Sequence, residues 1–339
     1  MKRKLFAFVV FLCIILPSCV KKKPVIETLS GFIQGTTYSI VFDNNQRLDH
    51  FETGRDVEKI LHEFDMSLSM YVDSSIVSRI NRNEDVVADS FLTEVFRLSD
   101  SIFKATEGAF DVTVGPLVRA WGFGPDDHRN FKEEKRDSLM KLVGMEKVSL
   151  KDGRMVKAIP GMILDFNAIA QGYSVDVICS YFDSKGIQNY LVEIGGEVRA
   201  RGTKAGALWR IGIDRPEDLN MSPGQDLQAI IKISDQSVAT SGNYRKFFVE
   251  DGVKYGHTID PKTGYPAKNT LLSATIVTKS CAVADGIATA CMVMGKDSAI
   301  EYIKRNPNLN AYFVFSDSTG NFQTWMSESL AKNLAETTE

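Results

Sequence analysis

Segments with strand character and segments with helical spacing are mixed along this 339-residue chain, and they do not alternate one for one. Helices are predicted at residues 55–66, 91–106, 132–143, 167–185, 282–294 and 297–305. Strands are predicted at 28–42, as a pair or one bent strand, at 147–157, as a hairpin, and at 162–165, 190–194, 209–213, 227–233, 247–250, 271–278, 311–315 and 322–325. This order favours an α+β fold, with mixed sheets and packed helices in one compact body, over a doubly wound parallel sheet.

The N-terminus has the layout of a secretory signal. Three basic residues at positions 2–4 precede an apolar stretch at 5–16, which is shorter than the roughly 20 residues that a membrane-spanning helix needs. Cys19 follows a small residue shortly after this stretch, as at a bacterial lipoprotein processing site. We therefore predict that the mature chain begins at a lipidated Cys19. An uncleaved anchor helix is the alternative, and both interpretations place the folded body outside the cytoplasm.

Charge excludes one class of partner. The formal net charge is −3, and removal of the signal with its three basic residues takes it to about −6. Nothing in this balance indicates the basic face that nucleic-acid binding requires. We therefore expect no nucleic-acid partner.

The cysteines of the predicted mature body are Cys179, Cys281 and Cys291, without the spacing of a zinc cluster. Only four histidines exist, and none lies at ligand spacing from a cysteine. We interpret the three thiols as small buried apolar groups. A Cys281–Cys291 disulfide stays open as an alternative, although ten residues along one helix would separate the two side chains too far.

Residues 108–124, GAFDVTVGPLVRAWGFG, combine flexible backbone, large aromatic rings and one carboxylate. Glycines such as Gly108 and Gly122 permit positive φ or close backbone approach, and Phe110 and Trp121 supply rigid faces. The segment is typical of a loop built around a flat ligand. A glycine-rich loop that closes over the core explains the same residues.

Asp285 and Thr289 are four residues apart on the helix predicted at 282–294, so they project from one face, one turn apart. A carboxylate and a hydroxyl suit Mg²⁺, which proteins often hold with few side chains together with substrate phosphates. The structural alternative is that the Asp285 charge is favoured near the helix N-terminus and that Thr289 bonds back to the preceding turn.

Two further positions are candidates for chemistry. Asp165 ends a predicted strand and leads into a helix whose free N–H groups can meet an anion, although a helix cap is the commoner role. His257 lies in the segment YGHTIDPKTGYP at 255–266, where a turn follows it. A histidine on a loop is a candidate general base, while an ordinary polar surface residue is the alternative.

These segments together resemble the ApbE family of FAD:protein FMN transferases, flavin-handling lipoproteins of the bacterial envelope. The resemblance rests on motifs that occur in the family's order over nearly the whole mature chain. They are QGTTY at 34–38, SMY at 69–71, GAFDVTVGPLVRAWGFG at 108–124, DFNAIAQGYSVD at 165–176, LVEIGGEVRARG at 191–202, VATSGNYR at 238–245, HTIDPKTGYP at 257–266 and ADGIATA at 284–290.

The resemblance implies a domain layout and a reaction. It implies a lipoprotein signal at 1–18, a tether at 19–27 and an ApbE-like FMN transferase domain at 28–335. The enzyme binds FAD as substrate with Mg²⁺, and a Ser or Thr hydroxyl of an extracytoplasmic flavoprotein attacks the phosphorus on the riboflavin side of the pyrophosphate. AMP leaves and FMN stays on the acceptor as a phosphoester. The protein is then expected to face the periplasm of a bacterial envelope, held on the membrane through Cys19.

The resemblance also implies roles for individual residues. Asp285 and Thr289, with the backbone carbonyl of Ala168, would hold Mg²⁺, Asp285 is thereby catalytic, and His257 would be the base. The FAD site would be lined by Gln34, Tyr71, Ala109, Phe110, Asp111, Asp165, Gln171 and Ile259. Gln171 stands where the family's IAxGY motif has Lys or Glu, and Gln34 stands where the family often has Met. Residues 195–197, Gly-Gly-Glu, match a family motif that a tight turn explains equally well.

Two other functions fit the same residues. The pocket can hydrolyse FAD to FMN and AMP, with water as the acceptor, or the chain can bind flavin without turnover. Intact Asp285, Thr289 and His257 favour catalysis over simple binding.

Overall fold

The computed structural model describes residues 23–123, 133–217, 224–244, 247–250 and 253–335. The strands are β1 (Ile26–Ile33), β2 (Thr36–Asp43), β3 (Val148–Lys151), β4 (Arg154–Lys157), β5 (Tyr190–Ile194), β6 (Glu197–Arg201), β7 (Trp209–Asp214), β8 (Leu227–Ile233), β9 (Gln236–Gly242), β10 (Phe247–Glu250), β11 (Val253–Gly256), β12 (Leu271–Thr278), β13 (Asn310–Ser316) and β14 (Phe322–Met326). The helices are α1 (His50–Leu68), α2 (Ile76–Asn81), α3 (Ser90–Ala105), α4 (Gly115–Trp121), α5 (Glu133–Met140), α6 (Ala170–Ser184), α7 (Cys281–Met294), α8 (Lys296–Arg305) and α9 (Glu328–Ala331).

Eight strands form one sheet in the order β1-β2-β5-β6-β9-β12-β13-β14, and each neighbouring pair is antiparallel. Three antiparallel pairs stand apart from it: β3 with β4, β7 with β8, and β10 with β11. Helices pack on this sheet without a repeated strand–helix–strand unit, so the predicted α+β class is confirmed.

Helix α7 lies in the centre of the molecule. Its sequence, CAVADGIATACMVM, is apolar nearly all the way round, which is typical of a helix buried on every side. It packs on β9 and β12 with one face and on α6 with another. Cys281 and Cys291 lie at its two ends, buried and unpaired, as is Cys179 of α6 among the described residues. The prediction of buried thiols is confirmed, and the disulfide alternative is wrong.

Helix α6 connects α7 to a second part of the core. Its other face packs with α1 against β2 and β5, where the rings of Phe42, Phe182 and Tyr190 meet. The ring centroids of Phe182 lie 5.0 Å from Phe42 and 5.9 Å from Tyr190. Because both faces of α6 are packed, its position relative to α7 is set by the core on each side.

Two predicted turns take the backbone that their residues favour. Asp152 and Gly153 join β3 to β4 with φ of 48° and 73°, and Gln34 and Gly35 join β1 to β2 with φ of 54° and 72°. Two successive positive φ values are those of a type I′ turn, which fits the twist of an antiparallel pair. Both hairpins agree with the prediction.

The strand predicted at 162–165 is wrong. The backbone N–H and carbonyl of Leu164 bond to the Asn81 side chain, and the Asp165 N–H donates to the Val112 carbonyl, so no ladder forms. Helix α6 also begins at Ala170 instead of 167, because Phe166 accepts two turn hydrogen bonds first. The prediction also missed β6, β9, β11, α2, α4 and α9.

The predicted signal and Cys19 lie outside the described residues, as does Gly124. Within the part of the chain that the structure describes, no helix has the length and apolar character to cross a membrane. The boundaries predicted at 18/19 and 27/28 stay predictions.

Gly172 of α6 lies directly against the backbone of α7, which makes it a test of this packing. A methyl group at Gly172 would lie 2.8 Å from Cβ of Asp285 and closer still to the Cys281 backbone carbonyl. We expect Gly172→Ala to lower the free energy of unfolding by about 1–3 kcal/mol, because a backbone carbonyl cannot rotate away. Urea denaturation measures this change.

The matched control is Gly286→Ala on α7. There an added methyl group meets the end of the Ile102 side chain at 2.7 Å, and that side chain can rotate. Removing glycine from a helix also favours folding, so we expect almost no loss. Equal stability of Gly172→Ala and wild type would contradict the packing described.

Candidate active site

The first candidate residue, Asp285, lies where α6 and α7 are in contact. The Gly172 N–H in the first turn of α6 donates to Oδ2 of Asp285 on α7 at 3.1 Å. Asp285 is only 7% exposed. Burial raises the pKa of this carboxyl to about 7, although the hydrogen bond from Gly172 opposes the shift. One hydrogen bond offsets little of the cost of burying a negative charge, so a cation beside this carboxylate is favoured.

Thr289 lies one turn after Asp285 on the same face of α7, as predicted. Its hydroxyl is 3.1 Å from the hydroxyl of Ser241, at the end of β9. Ser241 was not among the predicted site residues, although it lies in the segment 238–245 that carries part of the resemblance. The structure therefore brings a third oxygen to the Asp285–Thr289 pair.

These groups fit Mg²⁺ by their chemistry. No group of three or more His, Cys, Asp or Glu side chains is placed to hold a metal in the described ranges. A site for Mg²⁺ does not require one, since this ion is commonly held by one or two carboxylates, water and substrate phosphates. Asp285 offers the carboxylate and Thr289 a hydroxyl. Ala168, whose carbonyl was predicted as a ligand, lies in the turn that leads into α6.

A narrow cleft brings two predicted FAD residues together. Tyr71 and Asp165 line it, with Arg119 and Phe123 from the glycine-rich segment. Tyr71 is 68% exposed, so its ring has a free face. Asp165 accepts from the Asn167 N–H at 3.0 Å in a local turn; the N-cap of α6 is Ile169, so the alternative interpretation of Asp165 as a helix cap is wrong. Arg119 and Phe123 were missed by the sequence analysis.

The interpretation of Phe110 and Trp121 as faces for a flat ligand is wrong. Phe110 is 2% exposed, and its ring packs where α7 has Gly286. Trp121 is stacked on Tyr255 with ring centroids 5.9 Å apart, and its Nε1–H donates to the Gly264 carbonyl at 2.8 Å. Both rings belong to the core, because their apolar faces are buried against other residues of the protein.

Asp111 has a structural role in this fold. Its carboxylate accepts hydrogen bonds from the N–H and hydroxyl of Thr113 at 2.7 and 2.6 Å and from the Met145 N–H at 3.2 Å. Burial nevertheless raises the pKa of this carboxyl above its ordinary value. Ala109 is also buried. These side chains are thus engaged within the fold, and the predicted FAD contacts of 109–111 stay a prediction.

Gln34 and Gln171 meet Ser174 at one end of the sheet. The Ser174 hydroxyl donates to the Gln171 carbonyl at 2.7 Å and to Oε1 of Gln34 at 3.4 Å. The amide of Gln171 lies against Gly195, where an added Cβ would be 3.1 Å from its Cδ. Nε2 of Gln34 is buried and makes no hydrogen bond of ordinary length among the described residues, although this amide lies close enough to the Asp65 carboxyl to oppose the rise that burial causes in its pKa. A ligand carbonyl would satisfy this donor.

His257 follows β11 and lies beside the cleft. Its ring meets Phe123 edge-on, with centroids 6.2 Å apart, and Phe123 lines the cleft with Tyr71 and Asp165. The next residue, Thr258, donates its hydroxyl hydrogen to Oδ1 of Asn243 at 3.0 Å. Asn243 is two residues beyond Ser241, so the end of β9 connects the His257 loop to the Thr289 hydroxyl.

Ile259 does not expose its side chain to a ligand. It is 4% exposed and packs with Leu117 and Trp121 in a small apolar cluster. It also forms an isolated bridge with Pro266 across the turn at 260–264. The Ile259 side chain therefore belongs to this cluster, and its predicted place in the FAD site stays a prediction.

A groove of about 500 Å³ is lined by residues of this turn and of the segment that follows it. Its walls include Asp260, Tyr265 and Lys268, with Met294 from the end of α7. None of the predicted site residues lines it. The candidate site is therefore defined by the chemistry of its residues and not by the size of a cavity.

Comparison with known proteins shows the family to which this chain belongs. The model of the ApbE family matches residues 34–313. The FAD:protein FMN transferase of Vibrio cholerae is 38% identical over 285 residues, which are 82% of this chain and 84% of that protein. The FAD:protein FMN transferase of Haemophilus influenzae is 36% identical over 342 residues, or 96% and 95% of the two chains.

Solved structures give the same result. The flavin transferase ApbE from Vibrio cholerae superposes with a TM-score of 0.82 and 34% identity, covering 92% of this chain and 100% of that one. The flavinyl transferase ApbE from Pseudomonas stutzeri, in its apo form, gives 0.82 and 33%, covering 92% and 97%. On family match, sequence identity and fold together, this chain belongs to the ApbE family.

Proposed function

We propose that this protein is an FAD:protein FMN transferase, which moves FMN from FAD to a Ser or Thr hydroxyl of an acceptor protein and releases AMP. The observation that carries the proposal is the buried carboxyl of Asp285 on α7, which accepts from the Gly172 N–H in the first turn of α6 and lies one helical turn from Thr289. The relatives that bear this enzyme name match most of the chain and support it.

The α6–α7 junction suits a pyrophosphate. Asp285 and Thr289 would hold Mg²⁺ with the Ala168 carbonyl. Mg²⁺, when bound, supplies a Lewis acid that neutralises charge on the phosphates. Helix α6 adds to this through its dipole, which favours an anion near the helix N-terminus, while its Ala170 and Gly172 N–H groups already donate to the Phe166 carbonyl and to Asp285. The region thus offers positive potential to FAD from two sources.

The flavin end of the substrate has its own candidates. The exposed ring of Tyr71 gives a face for stacking, and the buried Nε2 of Gln34 gives a donor for a carbonyl. Asp165 borders the same cleft as Tyr71. We propose that these residues orient the FAD.

His257 would remove the proton from the acceptor. A Ser or Thr hydroxyl is a weak nucleophile at neutral pH and gains from a positioned base. The acceptor oxygen forms a bond to the phosphorus of the FMN half, the P–O bond to AMP breaks, and the hydroxyl proton passes to the imidazole. In-line attack of this kind depends mostly on positioning and charge stabilisation.

The direct experiment is incubation of the protein with FAD, Mg²⁺ and candidate acceptor domains, followed by intact-mass measurement of each acceptor. A mass gain of one FMN on a Ser or Thr, with AMP released, is expected. Release of FMN and AMP without a change in any acceptor indicates FAD hydrolysis. Bound FAD that stays intact indicates a flavin-binding protein without turnover.

We further propose that the protein is attached to the membrane of the bacterial envelope through a lipidated Cys19 and acts on extracytoplasmic flavoproteins. Cys19→Ala should then move the protein from the membrane fraction to the soluble fraction. Cys13→Ala is the matched control and should stay with the membrane. Membrane retention of Cys19→Ala, with the N-terminus still uncleaved, would favour an anchor helix instead.

Asp285 should be required for metal binding and for transfer. We expect Asp285→Asn to lose Mg²⁺ binding in calorimetry and FMN transfer in the mass assay, because it removes the carboxylate from the metal pair. Asp297→Asn, on the exposed surface of α8, is the control and should keep both. Full transfer by Asp285→Asn in the presence of a chelator would contradict the metal assignment.

In the absence of metal, Asp285→Asn should be at least as stable as the wild type. Since the folded pKa of Asp285 is raised to about 7, its stabilising contribution is complete below the ordinary pKa and is lost as pH rises through about 7. Asparagine stays neutral, so the stability of Asp285→Asn relative to wild type should grow between pH 5 and pH 8. Thermal melting at the two pH values in chelator measures this. A variant less stable than wild type at pH 8 would show a structural role.

His257→Ala should separate chemistry from binding. Removal of a general base costs about 10² to 10⁴ in rate, so we expect single-turnover transfer to fall by that factor while FAD affinity changes little. His62→Ala, an exposed position on α1, is the control. If His257→Ala lost FAD affinity but transferred at the wild-type rate at saturation, His257 would shape the ligand site and would not be the base.

A further inference from the structure

Asp176 of α6 gathers four hydrogen bonds on one carboxylate. It accepts from the Ser280 hydroxyl at 2.8 Å, from the N–H groups of Cys281 and Ala282 at 3.1 Å each, and from Arg199 of β6 at 2.6 Å. Its side chain is 14% exposed. The first N–H groups of a helix lack partners within it, so Asp176 caps α7 from a neighbouring helix.

Charge makes this cap strong. A carboxylate is stabilised at a helix N-terminus by the helix dipole, and hydrogen bonds with an ionised partner are stronger than neutral ones. Ser280, the N-cap residue of α7, accepts from the Val283 N–H at 3.3 Å and gives its own hydrogen to Asp176. Arg199 fixes the carboxylate from the other side. The start of α7 is thus held by groups on α6 and on the sheet.

This cap and the candidate metal site share one helix face. Asp176 and Gly172 are four residues apart on α6, and both contact α7. Gly172 donates to Asp285, while Asp176 holds Cys281, which lies four residues before Asp285. Two contacts one turn apart fix the position of α7 along α6. The segments 165–176, 191–202 and 284–290, which are far apart in sequence, meet at this point.

We propose that Asp176 is a positioning residue for the reaction: it sets the place of α7 on α6 and thereby the distance of Asp285 and Thr289 from the groups around them. This inference rests on the proposed function. Mg²⁺ requires nearly ideal octahedral geometry, so a small shift of the helix that carries its ligands lowers the affinity for the metal. Groups that orient metal ligands are commonly worth about 10- to 100-fold in affinity.

Asp176→Asn tests the proposal, since it keeps the shape of the side chain and removes the charge. We expect the Kd for Mg²⁺, measured by calorimetry on the full protein with FAD present, to rise at least about tenfold. Mn²⁺ binding followed by electron paramagnetic resonance gives a second readout that does not depend on turnover. Ser280→Ala, which removes one of the four bonds, should change both in the same direction by less.

Asp183→Asn is the matched control. Asp183 is also on α6 and also pairs with an arginine of β6, Arg201, and its second partner is the Tyr190 hydroxyl at 2.8 Å. Removal of the Asp183 charge should lower the melting temperature and leave the affinity for Mg²⁺ unchanged. A merely structural Asp176 would behave in the same way.

The outcomes are distinguishable. If wild type binds Mg²⁺ and transfers FMN while Asp176→Asn binds Mg²⁺ with wild-type affinity, the positioning role is overturned and the proposed function stands. An equal loss of affinity in Asp176→Asn and Asp183→Asn also overturns it. If wild type neither binds Mg²⁺ in the presence of FAD nor transfers FMN, both proposals fail.

Discussion

The contact between Gly172 and Asp285 is the constraint on which the rest of the site depends. A side chain at position 172 would collide with the Cys281 backbone, so α6 and α7 approach this closely only with glycine there. That approach brings a backbone N–H to a carboxylate that water hardly reaches. Burial raises the pKa of this carboxyl to about 7, because the fold supplies too few hydrogen bonds to stabilise its charged form.

The surrounding structure is arranged to keep this contact in place. Helix α6 is packed on both faces, and α7 is buried against the centre of the large sheet. The end of β9 lies along the same region: Ser241 reaches Thr289, and Asn243 reaches Thr258, the neighbour of His257. The proposed metal pair and the candidate base are thereby tied to one strand, and this arrangement would let residues far apart in sequence act on one phosphate.

Sequence patterns predict relations between residues that are close together in the chain, and they do not predict contacts between distant segments. The pairing of Asp285 with Thr289 is a relation within one helix, and helical spacing states it directly. The Ser241–Thr289 contact joins residues 48 apart, which no local pattern reports. The resemblance implies FAD contacts for Phe110 and Asp111, but the Phe110 ring is buried in the core and the Asp111 carboxylate bonds to Thr113 and Met145, which are contacts that no local pattern reports. The hairpins were predictable because their glycines act locally.

The central claim is that Asp285 and Thr289 hold a divalent cation against the FAD phosphates. A crystal structure of the protein with FAD and Mn²⁺, with the metal located by anomalous scattering, tests it most directly. We expect a metal peak bound by Asp285, Thr289, the Ala168 carbonyl and a phosphate oxygen of FAD, with metal–oxygen distances of about 2.1 Å, as for Mg²⁺. A metal bound elsewhere, with Asp285 and Thr289 out of its coordination sphere, would contradict it.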